Sequence, residues 1–208
     1  MIKVQIYPVT MLATNCSYIV DEATGEAAVV DPGEKSDLLI EQIRKDGGKL
    51  RYVLLTHGHY DHICYAKQLA DMFSAQIVIG RLEKEFLQNP EYNGTAKHRI
   101  PFEPFEPDIL LDDGDTFMLG ETEFQYLSTP GHTGGSGVFL ADGVMFAGDT
   151  LFLESCGRTD FPTGSDMQMM QSLRRLKQLD GDWQVVPGHG ELTTLEYERR
   201  YNPMMRML

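Results

Sequence analysis

Short runs of β-branched and aromatic residues, cut by turn residues, fill the first thirty positions. Residues 4–7, 17–20 and 27–30 read as strands, with a turn from Asp21 to Gly25 between the last two. Asp31-Pro32-Gly33 stops the third. Over 35–45 the apolar residues Leu38, Leu39, Ile40 and Ile43 recur near helical spacing, and Gly47-Gly48 ends that helix. An apolar strand at 52–55 runs into Thr56-His57-Gly58-His59-Tyr60-Asp61-His62, and the pattern predicts a helix from there through about Met72. A strand at 76–79 and a short helix at 82–87 follow. Residues 89–107 carry four prolines and little periodicity, which marks a long loop of functional or variable type.

Strands resume at 109–111, 116–119, 123–128, 137–140 and 144–147, with a last one at 184–186 after Gly181. Helices are expected around 166–178 and 194–200. The order is therefore strands then helices, twice, divided near residue 108. Two sheets packed together with helices outside satisfy it: an α/β chain folded as a four-layer α/β/β/α sandwich, one domain over residues 1–208. A chain of this length that is 42% hydrophobic can bury such a core. No period of 20–50 residues indicates a repeat architecture.

Charge narrows the partners. Lys plus Arg is 18 and Asp plus Glu is 31, a formal net charge of −13. Such a surface repels phosphate backbones and anionic headgroups, so neither nucleic acid nor membrane is an expected partner. No apolar stretch approaches the roughly 20 residues that span a bilayer. Met1-Ile2-Lys3-Val4-Gln5 lacks the layout of a secretory leader, and Cys16, Cys64 and Cys156 do not suggest a disulfide framework; a reducing cytoplasm is the expected location. The three cysteines read as small buried hydrophobes. Met167, Met169, Met170, Met204, Met205 and Met207 fit core packing or an oligomer contact, and the oligomeric state stays open.

Histidine is where chemistry concentrates. Six histidines in 208 residues place about 0.2 in a random six-residue window, yet residues 57–62 hold three, with an aspartate. They occupy a strand-to-helix loop, where ligands converge on one point. Three more ligand-type residues each follow an apolar strand in a glycine-bearing turn: His132 in Thr129-Pro130-Gly131-His132-Thr133, Asp149 in Gly148-Asp149-Thr150, and His189 in Pro187-Gly188-His189-Gly190. Glycine beside a ligand allows a close backbone approach. Only His98 lies outside this set; it is either a surface residue of the irregular loop or part of a substrate entry.

Thr-His-x-His-x-Asp-His followed by a lone His, Asp and His, each after a strand, resembles the metallo-β-lactamase superfamily over nearly the whole chain. The resemblance implies two divalent cations, with zinc the first expectation and iron or manganese compatible with nitrogen and oxygen ligands. It assigns His57, His59 and His132 to one cation, Asp61, His62 and His189 to the other, and Asp149 as a bridge, making Asp61 and Asp149 the carboxylates of the catalytic centre. Asp31, in Val-Val-Asp-Pro-Gly, resembles the family aspartate that braces the ligand loop; it is equally a turn aspartate. Two such cations share a water, lower its pKa toward about 7 and present hydroxide at neutral pH, so no Ser or Cys nucleophile is required. With two cations, two carboxylates and hydroxide the centre carries about +1, which favours an oxyanion formed on attack.

Within the superfamily, Asp at 149 departs from two-zinc β-lactamases that carry Cys there, and His at 59 departs from the diiron flavoproteins, which use Glu. The run Cys156-Gly157-Arg158-Thr159-Asp160-Phe161 and the tail Glu198-Arg199-Arg200-Tyr201-Asn202-Pro203 resemble short bacterial glyoxalase II (hydroxyacylglutathione hydrolase) proteins, which lack the C-terminal helical domain of the full-length enzyme. That implies hydrolysis of a small-molecule acyl-thioester such as S-lactoylglutathione. Arg158 is then a substrate contact, or else the partner of Asp160 or another carboxylate in an internal ion pair. Gly157–Phe161 also resembles persulfide dioxygenases of this fold, which hold one iron by the equivalents of His57, His132 and Asp149. Lactone and phosphoester hydrolysis are further expectations the motif allows.

Overall fold

All of residues 1–208 are described by the computed structural model. The runs of the first half become one six-stranded sheet: β1 (Ile2–Val9), β2 (Thr14–Asp21), β3 (Ala27–Val30), β4 (Leu50–Leu55), β5 (Gln76–Gly80) and β6 (Ile109–Leu111), in that spatial order. β1 to β3 are antiparallel neighbours, whereas β3, β4, β5 and β6 run parallel. The second sheet takes β7 (Thr116–Leu119), β8 (Thr122–Ser128), β9 (Gly137–Ala141), β10 (Val144–Gly148), β13 (Gln184–Pro187) and β14 (Thr193–Thr194). A small hairpin, β11 (Leu151–Phe152) with β12 (Ser155–Cys156), stands apart.

Period-2 burial explains how the layers meet. In β4, Tyr52 and Leu54 face the second sheet while Val53 and Leu55 face the helices. The interior between the sheets joins Ile19, Val30, Leu54 and Val78 to Phe124, Tyr126, Phe139 and Phe146. On the outer face of the first sheet lie α1 (Asp37–Lys45), the single-turn α2 (Tyr60–Ile63) and α3 (Ala66–Phe73), through Leu39, Ile43, Ile63 and Leu69. The outer face of the second is covered by α5 (Asp166–Lys177), α6 (Leu195–Tyr201) and α7 (Pro203–Arg206), through Leu173, Leu176, Leu195 and Met205. This is the four-layer α/β/β/α sandwich. Met169 and Met205 are core residues, whereas Met167 and Met207 are exposed.

Three expectations change. The helix anticipated from His62 through Met72 is two, because the chain turns at Cys64 and Tyr65; α2 thus carries Asp61 and His62 at its own angle. The division near residue 108 falls later, since β6 pairs parallel to β5 and belongs to the first sheet. The irregular 89–107 stretch contains a one-turn helix, α4 (Thr95–His98), bracketed by left-handed Gly94 and Arg99. The segment after β5 is a 3-10 helix (Arg81–Leu87), where residues three apart share a face. All three cysteines are free thiols; Cys16 is buried, whereas Cys64 and Cys156 are only partly so.

Candidate metal centre

Strand direction brings the ligand-type residues to one rim. β3 and β4 are parallel, so Asp31 and the 56–62 turn emerge at the same end of the first sheet. β8, β9 and β10 alternate in direction and β13 is parallel to β10, so the turns bearing His132, Asp149 and His189 emerge together from the second. The two rims are stitched by Asn15 N–H donating to the Gly188 carbonyl (2.8 Å) and Gly137 N–H donating to the Thr56 carbonyl (2.9 Å).

All seven residues singled out as ligands meet there. His57, His59 and His132 offer ligand atoms within 4.8 Å of one another, and so do Asp61, His62 and His189. Asp149 lies between the groups: its Oδ2 is 3.4 Å from His132 Nε2, and its Oδ1 is 3.6 Å from His62 Nε2 and 3.7 Å from His189 Nε2. Asp61 Oδ2 is 3.1 Å from His189 Nε2. The approach needs glycine at 188, because a Cβ there would lie 2.2 Å from Asp149 Oδ1, and at 148, where φ is +47° and a Cβ would meet Thr56 Oγ1 at 2.4 Å.

Hydrogen bonds orient the rings. With Nδ1 donating to the Arg158 carbonyl (2.7 Å), His132 turns Nε2 inward; His189 does the same through the Leu12 carbonyl (3.1 Å). Asp31 Oδ2 accepts from His62 Nδ1 (2.9 Å), and its two oxygens also take Thr56 N–H (2.8 Å) and Oγ1 (2.6 Å). Asp31 is thus at once the left-handed residue of its turn (φ 51°) and a brace for the ligand loop. It forms a further close group with His57 and His62, but these hydrogen bonds already occupy its oxygens.

The donor set fits cations. His57 Nε2, His59 Nε2 and Asp149 Oδ1 are buried without any hydrogen-bond partner, a cost the fold would not carry for packing alone. His59 Nδ1 faces His132 Nε2 at 2.9 Å, and His62 Nε2 faces His189 Nε2 at 3.2 Å, nitrogen against nitrogen. Burial, reinforced by the neighbouring histidines, pushes His57 well below the usual imidazole range and His59 down to about 3, so both are neutral ligands. For His62 burial works in the same direction, but Asp61, Asp31 and Asp149 outweigh it and hold the ring up at about 10. Burial would raise Asp61; His62 and His189 override it and keep the carboxylate ionised. A positive charge among these carboxylates is what the site is built to take.

The cluster floors a cleft of about 900 Å³, lined by the tip of the β1–β2 hairpin, α4 and the 156–162 segment. Phe161 packs against the rings of His59 (4.9 Å) and His132 (5.6 Å). Arg158 lines the cleft, but its guanidinium forms a two-pronged pair with Asp160 (both contacts 2.7 Å) and stacks over Phe161 (4.4 Å). His98 does line the entry, its ring tilted against Tyr60 with centroids 4.8 Å apart, with the exposed Lys97 beside it. Glu83 was not singled out by its sequence. It is fully buried under both ligand loops, and burial pushes its carboxyl up to about 7 against the three donors that pull it down.

Fold and site together define a metal-dependent hydrolase built as an α/β/β/α sandwich. The Metallo-beta-lactamase superfamily model matches residues 9–189, and the chain belongs to that superfamily. It is 36% identical over 208 residues to the hydroxyacylglutathione hydrolase GloC of Haemophilus influenzae, covering 98% of each chain. It is 33% identical over 178 residues to a probable polyketide biosynthesis zinc-dependent hydrolase, PksB of Bacillus subtilis, covering 85% of this chain and 73% of that one. Among solved structures, BLEG-1, a B3 metallo-β-lactamase, superposes with a TM-score of 0.90 at 31% identity, covering 99% of both chains. TTHA1623 in a di-iron-bound form superposes with a TM-score of 0.81 at 29% identity over 96% of this chain and 99% of that one. The relatives thus include both zinc and iron proteins.

Proposed function

We propose that the protein hydrolyses an acyl-thioester of a small molecule, S-lactoylglutathione or a simpler relative, at a two-cation centre. The observation that carries this reading is Asp149, whose two oxygens face two separate three-residue ligand groups at the floor of an open cleft. His57, His59 and His132 would hold one cation, Asp61, His62 and His189 the other, with Asp149 shared; zinc is the first expectation. When bound, such a pair supplies Lewis acidity that ionises water near pH 7 and stabilises charge on a carbonyl oxygen.

The chain's own residues do the rest. Asp31, the Arg158 carbonyl and the Leu12 carbonyl hold protons on the Nδ1 atoms of His62, His132 and His189, so it is Nε2 of each ring that would give up any proton of its own to a cation. Cys156 lines the cleft, but burial and Asp166 raise its pKa, the opposite of what a nucleophile needs. Asp61 stays ionised, which removes it as an acid for the leaving group. A thiolate leaves near its own pKa of about 8.5 with little protonation, so a thioester suits this cleft better than an amide. Similarity to GloC supports the same substrate class. Because Arg158 is balanced by Asp160, its contact with substrate would be that of a paired, stacked guanidinium, while Lys97, whose charge also acts on Asp160, would supply a further cation at the rim.

The test couples elemental analysis to two assays on the same preparation: cleavage of S-lactoylglutathione and of a simple acyl-thioester, and oxygen uptake with glutathione persulfide. Thioester turnover that scales with metal content is expected. One iron per chain, oxygen consumption and no thioester cleavage would replace this reading with persulfide dioxygenation.

A further inference from the structure

A buried carboxylate with no cationic side chain beside it needs a reason. Glu83 is 0% exposed and in no ion pair, yet every interaction it makes goes to a ligand-bearing turn. Its Oε2 accepts from the N–H of Gly58 at 2.8 Å, the residue between His57 and His59. Its Oε1 accepts from Thr133 Oγ1 at 2.5 Å and from Gly135 N–H at 3.0 Å, and Thr133 directly follows His132. The first turn belongs to the β4 end of one sheet and the second to the β8–β9 connection of the other. One carboxylate therefore ties together the two segments that carry the three-histidine group, as Asp31 ties Thr56 to His62 in the other.

The 3-10 helix aims it there. With residues three apart on one face, Glu83 and Phe86 point inward together, and Phe86 lies 5.9 Å from the His59 ring. The backbone fits tightly as well: a Cβ at Gly58 would sit 2.2 Å from Phe86 Cβ and 3.1 Å from Glu83 Oε2. All three partners donate to the two oxygens, a pattern that a carboxylate accepts on both sides. An amide in its place keeps one acceptor and turns N–H groups toward another donor, leaving a turn unsatisfied.

We propose that Glu83 is a positioning residue for the three-histidine half of the centre, setting the spacing of His57, His59 and His132 and so that half's affinity for its cation. This rests on the two-cation reading above but not on the identity of the substrate.

The test titrates zinc into metal-stripped full-length protein against a chromophoric chelator. Wild type is compared with Glu83→Gln, and each is also measured with His189→Ala, which leaves the three-histidine group as the one complete set, and with His132→Ala, which leaves the other as the complete set. Glu83→Gln should weaken the three-histidine site by about 10–100-fold, the usual effect of losing a ligand-orienting partner, with little change at the other site. Thr133→Val removes one donor from the same carboxylate and should produce a smaller loss at the same site, which serves if Glu83→Gln folds poorly. Unchanged affinity at the three-histidine site in wild-type-like folded Glu83→Gln overturns the proposal. Equal weakening of both sites together with a lower Tm of the metal-free protein does so too, since that is loosening of the fold alone. Wild type that takes up no metal removes the centre itself, a failure distinct from either.

Discussion

The first sheet supplies His57, His59, Asp61 and His62 from one turn of six residues; the second supplies His132, Asp149 and His189 from three turns, 17 and 40 residues apart along the chain. These are different ways of building half a site. The contiguous turn is shaped locally, by His62 N–H donating to the His59 carbonyl (2.9 Å) and by Asp31. The scattered trio has no local device of that reach. It is aligned by the sheet, where parallel β10 and β13 set Gly148 opposite Pro187 and Gly188 N–H donates to the Gly148 carbonyl (2.8 Å). Neither half supplies both ligand groups alone, so the site is complete only when the sheets are docked.

The comparison breaks hardest at Asp149, the one side chain of the scattered set that faces both ligand groups. Asp149→Ala should lower kcat/KM on the order of 10³-fold or more and release metal with it. Full turnover with two bound metals would remove its bridging role. Next is the docking surface. Phe139 is fully buried between the sheets, and Phe139→Ala should cost about 3–5 kcal/mol in denaturant unfolding. Added metal should recover part of the lost Tm, since it binds only the docked form. A Tm that ignores metal would show that ligand assembly is independent of the interface. The smallest effect is expected at the cleft wall. Because Arg158 is exposed and paired with Asp160, Arg158→Ala should raise KM for a glutathione thioester about two- to fivefold at constant kcat, the scale of a solvent-screened ion pair. No change assigns Arg158 to the internal pair alone.

The contrast also explains what the sequence made legible. Three histidines and an aspartate within residues 57–62, and glycine turns closing three apolar strands, are local signals, and each of those residues lies at the rim. Strand pairing is not local: three residues, Ile109–Leu111, carry nothing to say that they join β5 rather than β7. Glu83 was hidden by its charge. A glutamate in a short surface run reads as solvated, whereas the 3-10 turn exposes Leu82 and buries Glu83 beside Phe86. At Arg158, sequence spacing allowed either partner, and only side-chain geometry shows that Asp160 holds it.

Metal stoichiometry tests the straddling centre most directly. Wild-type protein, stripped with chelator, reloaded and freed of excess metal, should carry two ions per chain by elemental analysis, and His189→Ala should carry one. Saturation of the wild type below two, or two ions retained without His189, would contradict a centre divided between the sheets.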